Sequence, residues 1–366
     1  MRLLTYLLVS LCLSFVFQRC RTAQSTTRTT PTALISAEGF LTCFEPGLAE
    51  GKLWCEASAV LNQQRRIYLA NDKDMPAPRS SVFFYPDFEQ LNTVAAGNQL
   101  PTYLEQPLLR QAHKFEEFAQ SPDGRWTFLT TAFDRIKPDT SSFDGYNMLL
   151  AWRPGQEGAM RVVSADKPGG ASLGLRRQIQ AALGGSPYFK IEGLAATNTQ
   201  LWFGVREQGE RYDKFDYRIT ILTATYRATP DEQGGEKLVL GPVSLVREFK
   251  VDDVDPVLPK PLAVSSLEYD PARRCFWLMT SYEQAGQIGA YLWTITELAM
   301  RKDGDLQLVR MADKKPLAFS HKAEDMTFID PNTLLVIHDD DHVKTRIGNQ
   351  ERQPNQTAYS IVRLGF

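Results

Sequence analysis

The chain has 366 residues, 43% hydrophobic and 23% charged, enough for a large core in one or two domains. Its 41 basic and 43 acidic residues nearly cancel at −2, and this argues against a nucleic-acid binder or a membrane-surface protein, both of which need a basic excess. Aromatics at 11%, with 24 Gly and 21 Pro, suit strands and turns better than a helical bundle.

The first stretch reads as a targeting segment. Arg2 precedes an apolar run over residues 3–17 that is too short to span a bilayer, and the polar Gln18-Arg19-Cys20-Arg21 ends it. This predicts a signal peptide over residues 1–23. Lipoprotein anchoring at Cys20 is not expected, because Gln18 and Arg19 stand where small residues are needed. The hydroxyl-rich residues 24–34 predict a disordered tether, with structure starting near Ile35 and one domain over 35–366. With no other run long enough to span, the mature protein is expected to be exported, periplasmic or extracellular, without stable membrane insertion. Cys43 and Cys55 flank Glu45-Pro46-Gly47 in a chain bound for an oxidising compartment, so a disulfide is expected, two separate thiols being the alternative. Cys275 opens an apolar run and reads as a core residue, and no CxxC or CxxxH spacing points to zinc.

From Glu56 onward the signals are short strands broken by turns. Glu56-Ala57-Ser58-Ala59-Val60 leads to Ile67-Tyr68-Leu69-Ala70. Lys114-Phe115-Glu116 leads, past the hairpin signal Ser121-Pro122-Asp123-Gly124, to Trp126-Thr127-Phe128-Leu129. A helix is predicted over 173–183, between Gly169-Gly170 and Gly184-Gly185, as an insertion on a loop. Then Lys190-Ile191-Glu192 leads to Leu201-Trp202-Phe203-Gly204-Val205, Val264-Ser265-Ser266 to Phe276-Trp277-Leu278-Met279, and Lys322-Ala323-Glu324 to Leu334-Leu335-Val336-Ile337. Taking Glu56, Glu116, Glu192, Ser265 and Glu324 as equivalent marks gives steps of 60, 76, 73 and 59 residues, and the two chain ends together supply about one more. The expected fold is all-β, a β-propeller of five blades with one short inserted helix, its innermost strands lining a central channel. Six blades would follow if one long step hid a degenerate blade. A β-sandwich would not repeat the same marks along the chain.

In a strand, residues i and i+2 share a face, so each Lys-x-Glu presents an ammonium and a carboxylate to one side. If that side is the channel, Glu56, Glu116, Glu192 and Glu324 converge with the Ser265 hydroxyl. Converging carboxylates repel unless a cation sits among them, and Ca²⁺ tolerates irregular oxygen ligands best. The expected metal ligands are therefore Glu56, Glu116, Glu192, Ser265 and Glu324. Lys114, Lys190 and Lys322 would then meet an anionic ligand, such as a phosphorylated small molecule. The alternative is that each Lys pairs with its own or a neighbouring Glu in a structural network. His338-Asp339-Asp340-Asp341-His342 reads either as a second metal site at the channel mouth or as a solvated turn, and Asn71-Asp72-Lys73-Asp74 lies at the corresponding strand end of the first unit. His113 and His321 alternate with their lysines and are expected to pack between blades. There is no Gly-x-Ser-x-Gly elbow, phosphate loop or His-Glu-x-x-His, while Asn355-Gln356-Thr357 fits a glycosylation acceptor.

Three stretches carry a family likeness: Lys190-Ile191-Glu192-Gly193-Leu194-Ala195 running into Leu201–Arg206, Cys55–Val60 running into Tyr68–Asp72, and Ala323–Thr327 running into Val336–Asp340. They resemble secreted propellers of the phytase-like (esterase-like phytase domain) group, and more distantly the calcium-activated apyrases. The resemblance covers most of residues 50–345 as scattered short motifs. It implies a calcium-dependent phosphoester hydrolase in which the metal polarises the phosphate and activates a water. Lys114, Lys190 and Lys322 would grip the phosphate, and a ring carboxylate, Glu192 or Glu324, would take the proton. Because one fold carries unrelated functions, a non-catalytic exported propeller that binds a ligand or partner on its loop face is the competing expectation.

Overall fold

Each apolar run becomes a strand of a small antiparallel sheet. The computed structural model describes residues 31–365 apart from 87–99, 138–141, 165–169, 232–234, 252–257 and 285, so the expected signal segment, most of the tether, Cys12 and Cys20 lie outside the described residues. The first strand, β1 (Thr32–Thr42), begins three residues before Ile35 and pairs along its length with the far end of the chain. Blade I follows as β2 (Ala57–Gln63), β3 (Arg66–Asn71), β4 (Val82–Tyr85) and β5 (Thr102–Tyr103). After a short helix α1 (Pro107–Gln111), blade II is β6 (Phe115–Gln120), β7 (Thr127–Thr131), β8 (Leu149–Trp152) and β9 (Arg161–Val162). The expected inserted helix is α2 (Leu173–Ala182), which sends Leu175 and Ile179 into the core between blades II and III. Blade III is β10 (Tyr188–Ala196), β11 (Gln200–Arg211), β12 (Lys214–Pro230) and β13 (Glu236–Leu240), with β14 (Ser244–Glu248) also on β12.

Blade IV is β15 (Ala263–Asp270), β16 (Cys275–Gln284) and β17 (Gln287–Thr296), then helix α3 (Glu297–Arg301), with β18 (Gln307–Leu308) and β19 (Ala318–Phe319) both on β17. Blade V joins β20 (Ala323–Asp330) and β21 (Thr333–His338) to β24 (Gln356–Gly365), and β1 completes it. A two-stranded ribbon, β22 (Arg346–Ile347) with β23 (Gln350–Glu351), sits on the loop before β24. The ring is thus closed by the two ends of the chain, in register from Thr42 opposite Gln356 to Thr32 opposite Gly365. The protein is a five-bladed β-propeller, with β2, β6, β10, β15 and β20 side by side around the axis.

The blades stack face to face, which is why their middle strands read as continuous apolar runs and not as alternation. Five hydrophobic clusters fill the five gaps between neighbouring blades. The Cys43–Cys55 disulfide is formed and ties the end of β1 in blade V to the entrance of β2 in blade I. Cys275 is a buried free thiol whose pKa is raised by burial to about 11, as a core residue should be. Among the described residues no helix is long and apolar enough to cross a membrane.

In the gap between blades III and IV, Trp202 is fully buried and tilts against Phe276 with ring centroids 4.6 Å apart. Truncation there removes a large side chain from a gap two rigid sheets cannot close. Trp202→Ala is expected to lower the unfolding free energy by about 3–5 kcal/mol, read from chemical denaturation midpoints.

Candidate functional site

The innermost strands share one irregularity. Each carries an extra residue against its neighbour: Ser58 in β2, Glu116 in β6, Glu192 in β10, Ser265 in β15 and Glu324 in β20. Four of these are the marks read from the sequence. In blade I the mark is Ser58, two residues after Glu56, so the unit reads Glu-x-Ser and Glu56 stands where blades II, III and V carry Lys114, Lys190 and Lys322 and blade IV carries Ala263. A bulge adds a residue and resets the in–out alternation of the strand. Residues next to the bulge therefore also reach the axis, and this builds a second tier that strict alternation hides.

That tier is Glu117, Ser266 and Asp325. Ser266 Oγ lies 2.7 Å from Glu117 Oε1 and 3.0 Å from Asp325 Oδ1, although blade IV does not adjoin blade II. The hydroxyl has one proton for two acceptors, so a carboxyl must supply another. Glu117 also accepts from the backbone N–H groups of Leu194 and, at 2.7 Å, Leu267. Asp325 accepts from Val60 N–H at 2.7 Å and Met326 N–H at 2.6 Å. One buried cluster thus holds main chain or side chain from all five blades and closes the axis. Burial, and then the Asp325 charge, pushes the Glu117 pKa well above the usual range, and burial lifts Asp325 to about 8.

Above it lies a ring of opposite charges. Lys190 is bonded to Glu192 and lies 3.4 Å from Glu116. Arg206, from the end of the apolar run of β11, lies 3.1 Å from Glu192 and donates to Ser281 Oγ at 2.8 Å. Lys322 lies 2.8 Å from Glu324 and 3.7 Å from Asp341. Lys114 is bonded to Asp134. Burial works to raise the Glu192 pKa, but Arg206 and Lys190 outweigh it and hold the carboxylate below its usual range. Burial also works to lower the pKa values of Lys190 and Lys322, and the neighbouring carboxylates reverse this and raise both. Burial raises Glu116 strongly, offset in part by Lys190, and raises Glu324, offset in part by Lys322.

The structure therefore brings Glu116, Glu192 and Glu324 to the channel but meets each with an ammonium or guanidinium. Ser265 Oγ is buried there without a hydrogen-bond partner among the described residues. Glu56 is drawn instead to the mouth, bonded to Lys73 and 3.0 Å from His342. Among the described residues, the acidic side chains whose oxygens lie within 4.8 Å of one another form a different trio: Glu56, Asp339 and Asp341. Burial first, then Lys322 in opposition, then Asp341, Glu324 and Glu56, leave Asp339 with a pKa well above its usual range.

Glu116 and Glu324 of the ring and Asp339 and Asp341 of the trio line one open cavity of about 380 Å³ at the channel mouth. Lys114, Lys190 and Lys322 reach it from blades II, III and V, joined by Lys73 and Arg135. Asp72, Lys73 and Asp74 line it opposite Asp339 and Asp341, so the two polar strand ends do share one face. The acidic run at 338–342 divides by alternation. Asp339 and Asp341 face the cavity, while Asp340 is buried behind, accepting from Thr345 Oγ1 at 2.6 Å and lying 2.6 Å from His321 Nδ1. Burial depresses His338 to about 3, and it meets Ser360 Oγ at 2.8 Å. His321 is buried, but its partners, Asp340 and the His338 ring at 5.2 Å, belong to its own blade V, not to a gap between blades. His113 does not face away from its lysine, because both line the cavity, His113 lying 2.7 Å from Asp74 of blade I and against Tyr146 of blade II. The preceding helix turns its backbone into blade II, and Lys114 itself sits at φ 58°, which breaks the assumed alternation.

The class defined by this geometry is a five-bladed β-propeller with a plugged axis and a charged, open mouth. No family model and no curated protein sequence matches the chain. Among solved structures it is similar to an α-L-arabinofuranosidase from Podospora anserina, at 11% identity and TM-score 0.41, covering 91% of this chain and 96% of that one. It is also similar to the catalytic domain of an α-L-arabinofuranosidase from Coprinopsis cinerea, at 10% identity and TM-score 0.46, over 91% and 96% of the two chains. An aldose sugar dehydrogenase from Streptomyces coelicolor is similar at 7% identity and TM-score 0.38, over 92% and 98%. Likeness this slight carries no argument about activity.

The axial cluster has a measurable consequence. Glu117 and Asp325 bind protons more tightly folded than unfolded, so their contribution to stability is full below about pH 4 and is lost as pH rises through the folded pKa values. Glu117→Gln cannot ionise. Relative to wild type, its unfolding free energy is expected to improve steadily between pH 5 and 8, by up to about 1.4 kcal/mol per pH unit, in parallel denaturation series. A constant difference across that range would contradict a protonated pair.

Proposed function

We propose that the channel mouth is the active site of a hydrolase for phosphate esters of small molecules. The observation that carries this reading is the convergence of Lys114, Lys190 and Lys322, from three blades, on one open cavity that also holds a carboxyl with a strongly raised pKa, Glu116. Cations placed where a phosphoryl group would sit stabilise the charge that builds up during its transfer. Lys322 and Lys114 grip the phosphoryl oxygens. Glu192 acts as a positioning residue, because its salt bridges to Lys190 and Arg206 hold that lysine at the cavity wall. Glu324 takes a proton from the attacking water as it adds to phosphorus, and burial, which raises its pKa, makes it a stronger base than an exposed carboxylate. The phosphorus–oxygen bond to the alcohol breaks, and Glu116 gives that oxygen its proton.

Calcium belongs to the proposal at a different place from the sequence-based set. Glu56, Asp339 and Asp341 fit a hard cation: three carboxylates whose oxygens lie within 4.8 Å of one another, those of Glu56 and Asp339 buried. A cation bound there would supply Lewis-acid polarisation of a phosphoryl oxygen. The phytase-like resemblance supports the same reaction class. The Cys43–Cys55 bond supports an exported protein, since such bonds persist in oxidising compartments. One observation favours the non-catalytic reading: Lys114, Lys190 and Lys322 already have carboxylate partners, so the mouth is balanced without a ligand.

A panel of phosphomonoesters, nucleotides and carboxyl esters, assayed with calcium and with chelator, separates the two. Phosphomonoester hydrolysis is expected, with Lys322→Met and Lys114→Met each lowering kcat/KM about a hundredfold. Uniform inactivity would leave a binding propeller.

A further inference from the structure

Beside the charged mouth lies a larger groove of about 850 Å³, and the two share the wall made by Lys114, Arg135 and Lys190. The groove is of another character. Strand β10 begins at Tyr188, opposite Gly209, but the β11–β12 hairpin continues past it to a turn at Tyr212-Asp213. This overhang carries Tyr212 and Phe215 along one side of the groove. Phe215 packs on Tyr188 with ring centroids 5.6 Å apart. Ile136 and Phe143 of blade II form the other side. Tyr212 is 76% exposed and Ile136 46% exposed, so apolar surface is left facing solvent directly beside three cations.

The acidic groups of the groove are already engaged. Asp134 is bonded to Lys114, Glu207 to the Tyr188 hydroxyl, and Glu210 lies 2.8 Å from Lys214. The lining still carries an excess of basic residues, Lys114, Arg135, Arg176, Lys190 and Arg211 against Asp134, Glu207 and Glu210, so a ligand meets a net positive end beside an aromatic length. An anion with a plain alkyl tail would gain area burial alone along the second. Flat rings stack on aromatic side chains with a gain beyond simple area burial.

We propose that the ester's alcohol side carries an aromatic ring that lies in this groove, its phosphate held in the adjoining mouth by Lys114, on the shared wall, and Lys322. The proposal rests on reading the mouth as a phosphate-ester site. It makes Tyr212 and Phe215 specificity-determining residues, distant from the reacting atoms, and it selects aryl-bearing phosphoesters over alkyl ones of similar reactivity.

The test uses unreactive probes, so that binding is read apart from turnover. Calorimetry compares 3-phenylpropylphosphonate with propylphosphonate on the full chain. Wild type is expected to bind the phenyl probe about tenfold more tightly. Tyr212→Ala, at an exposed turn whose loss leaves the core untouched, and Phe215→Ala should each bring that ratio towards one while leaving propylphosphonate affinity unchanged. Equal affinities in wild type, or a ratio that survives both substitutions, would overturn the groove while the anion site stands. Failure of both probes to bind would overturn the phosphate-ester reading, and the groove with it.

Discussion

A propeller has no central core of its own, and here a shared-proton cluster on the axis takes that place. Ser266 stands between Glu117 and Asp325, and the two carboxyls accept backbone N–H groups from Val60, Leu194, Leu267 and Met326. Those contacts reach all five innermost strands. Unpaired N–H groups at the bulges would otherwise be buried without partners, at a cost of about 1–3 kcal/mol each. A fully ionised pair would be worse, because two buried like charges repel at short range. The protonated arrangement meets both demands with two side chains and one hydroxyl.

Everything above this floor follows from the need to pair buried charge. Glu116, Glu192 and Glu324 sit on bulged residues that the fold turns inward, and Lys190, Arg206 and Lys322 accompany them. Removing one partner from such a pair strands the other, which makes the ring costly to alter singly. The network becomes wetter and less complete towards the mouth, where Glu56, Asp339 and Asp341 crowd together and the lysine heads border open space. A ligand therefore meets charges already fixed in position by their partners, the preorganisation that phosphoryl transfer exploits.

The recurrence of Lys-x-Glu, with the looser copies at Glu56 and Ser265, was enough to place the blades, because a radial array brings equivalent positions to one axis. Its one misplacement was in blade I, where Glu56 imitated the mark while Ser58 held the position. A single Glu among apolar residues gives no way to distinguish the two without the pairing register. The second tier stayed hidden for a related reason. Glu117 and Asp325 lie one residue beyond the marks, and period-two alternation sends them outward until a bulge resets it. Arg206 had a visible signal, a charge closing the apolar run 201–205, but its partner Glu192 lies on the neighbouring strand. The aromatic groove could not be read from local pattern, since its sides come from Ile136 and Phe143 and from Tyr212 and Phe215, joined only by the fold.

The central proposal is that water attacks phosphorus within the lysine-lined mouth. Its most direct test is hydrolysis of a phosphomonoester in ¹⁸O-labelled water, with mass spectrometry of both products. The account predicts one labelled oxygen in the released phosphate and none in the alcohol. Label in the alcohol, or no products from any phosphomonoester, would contradict it.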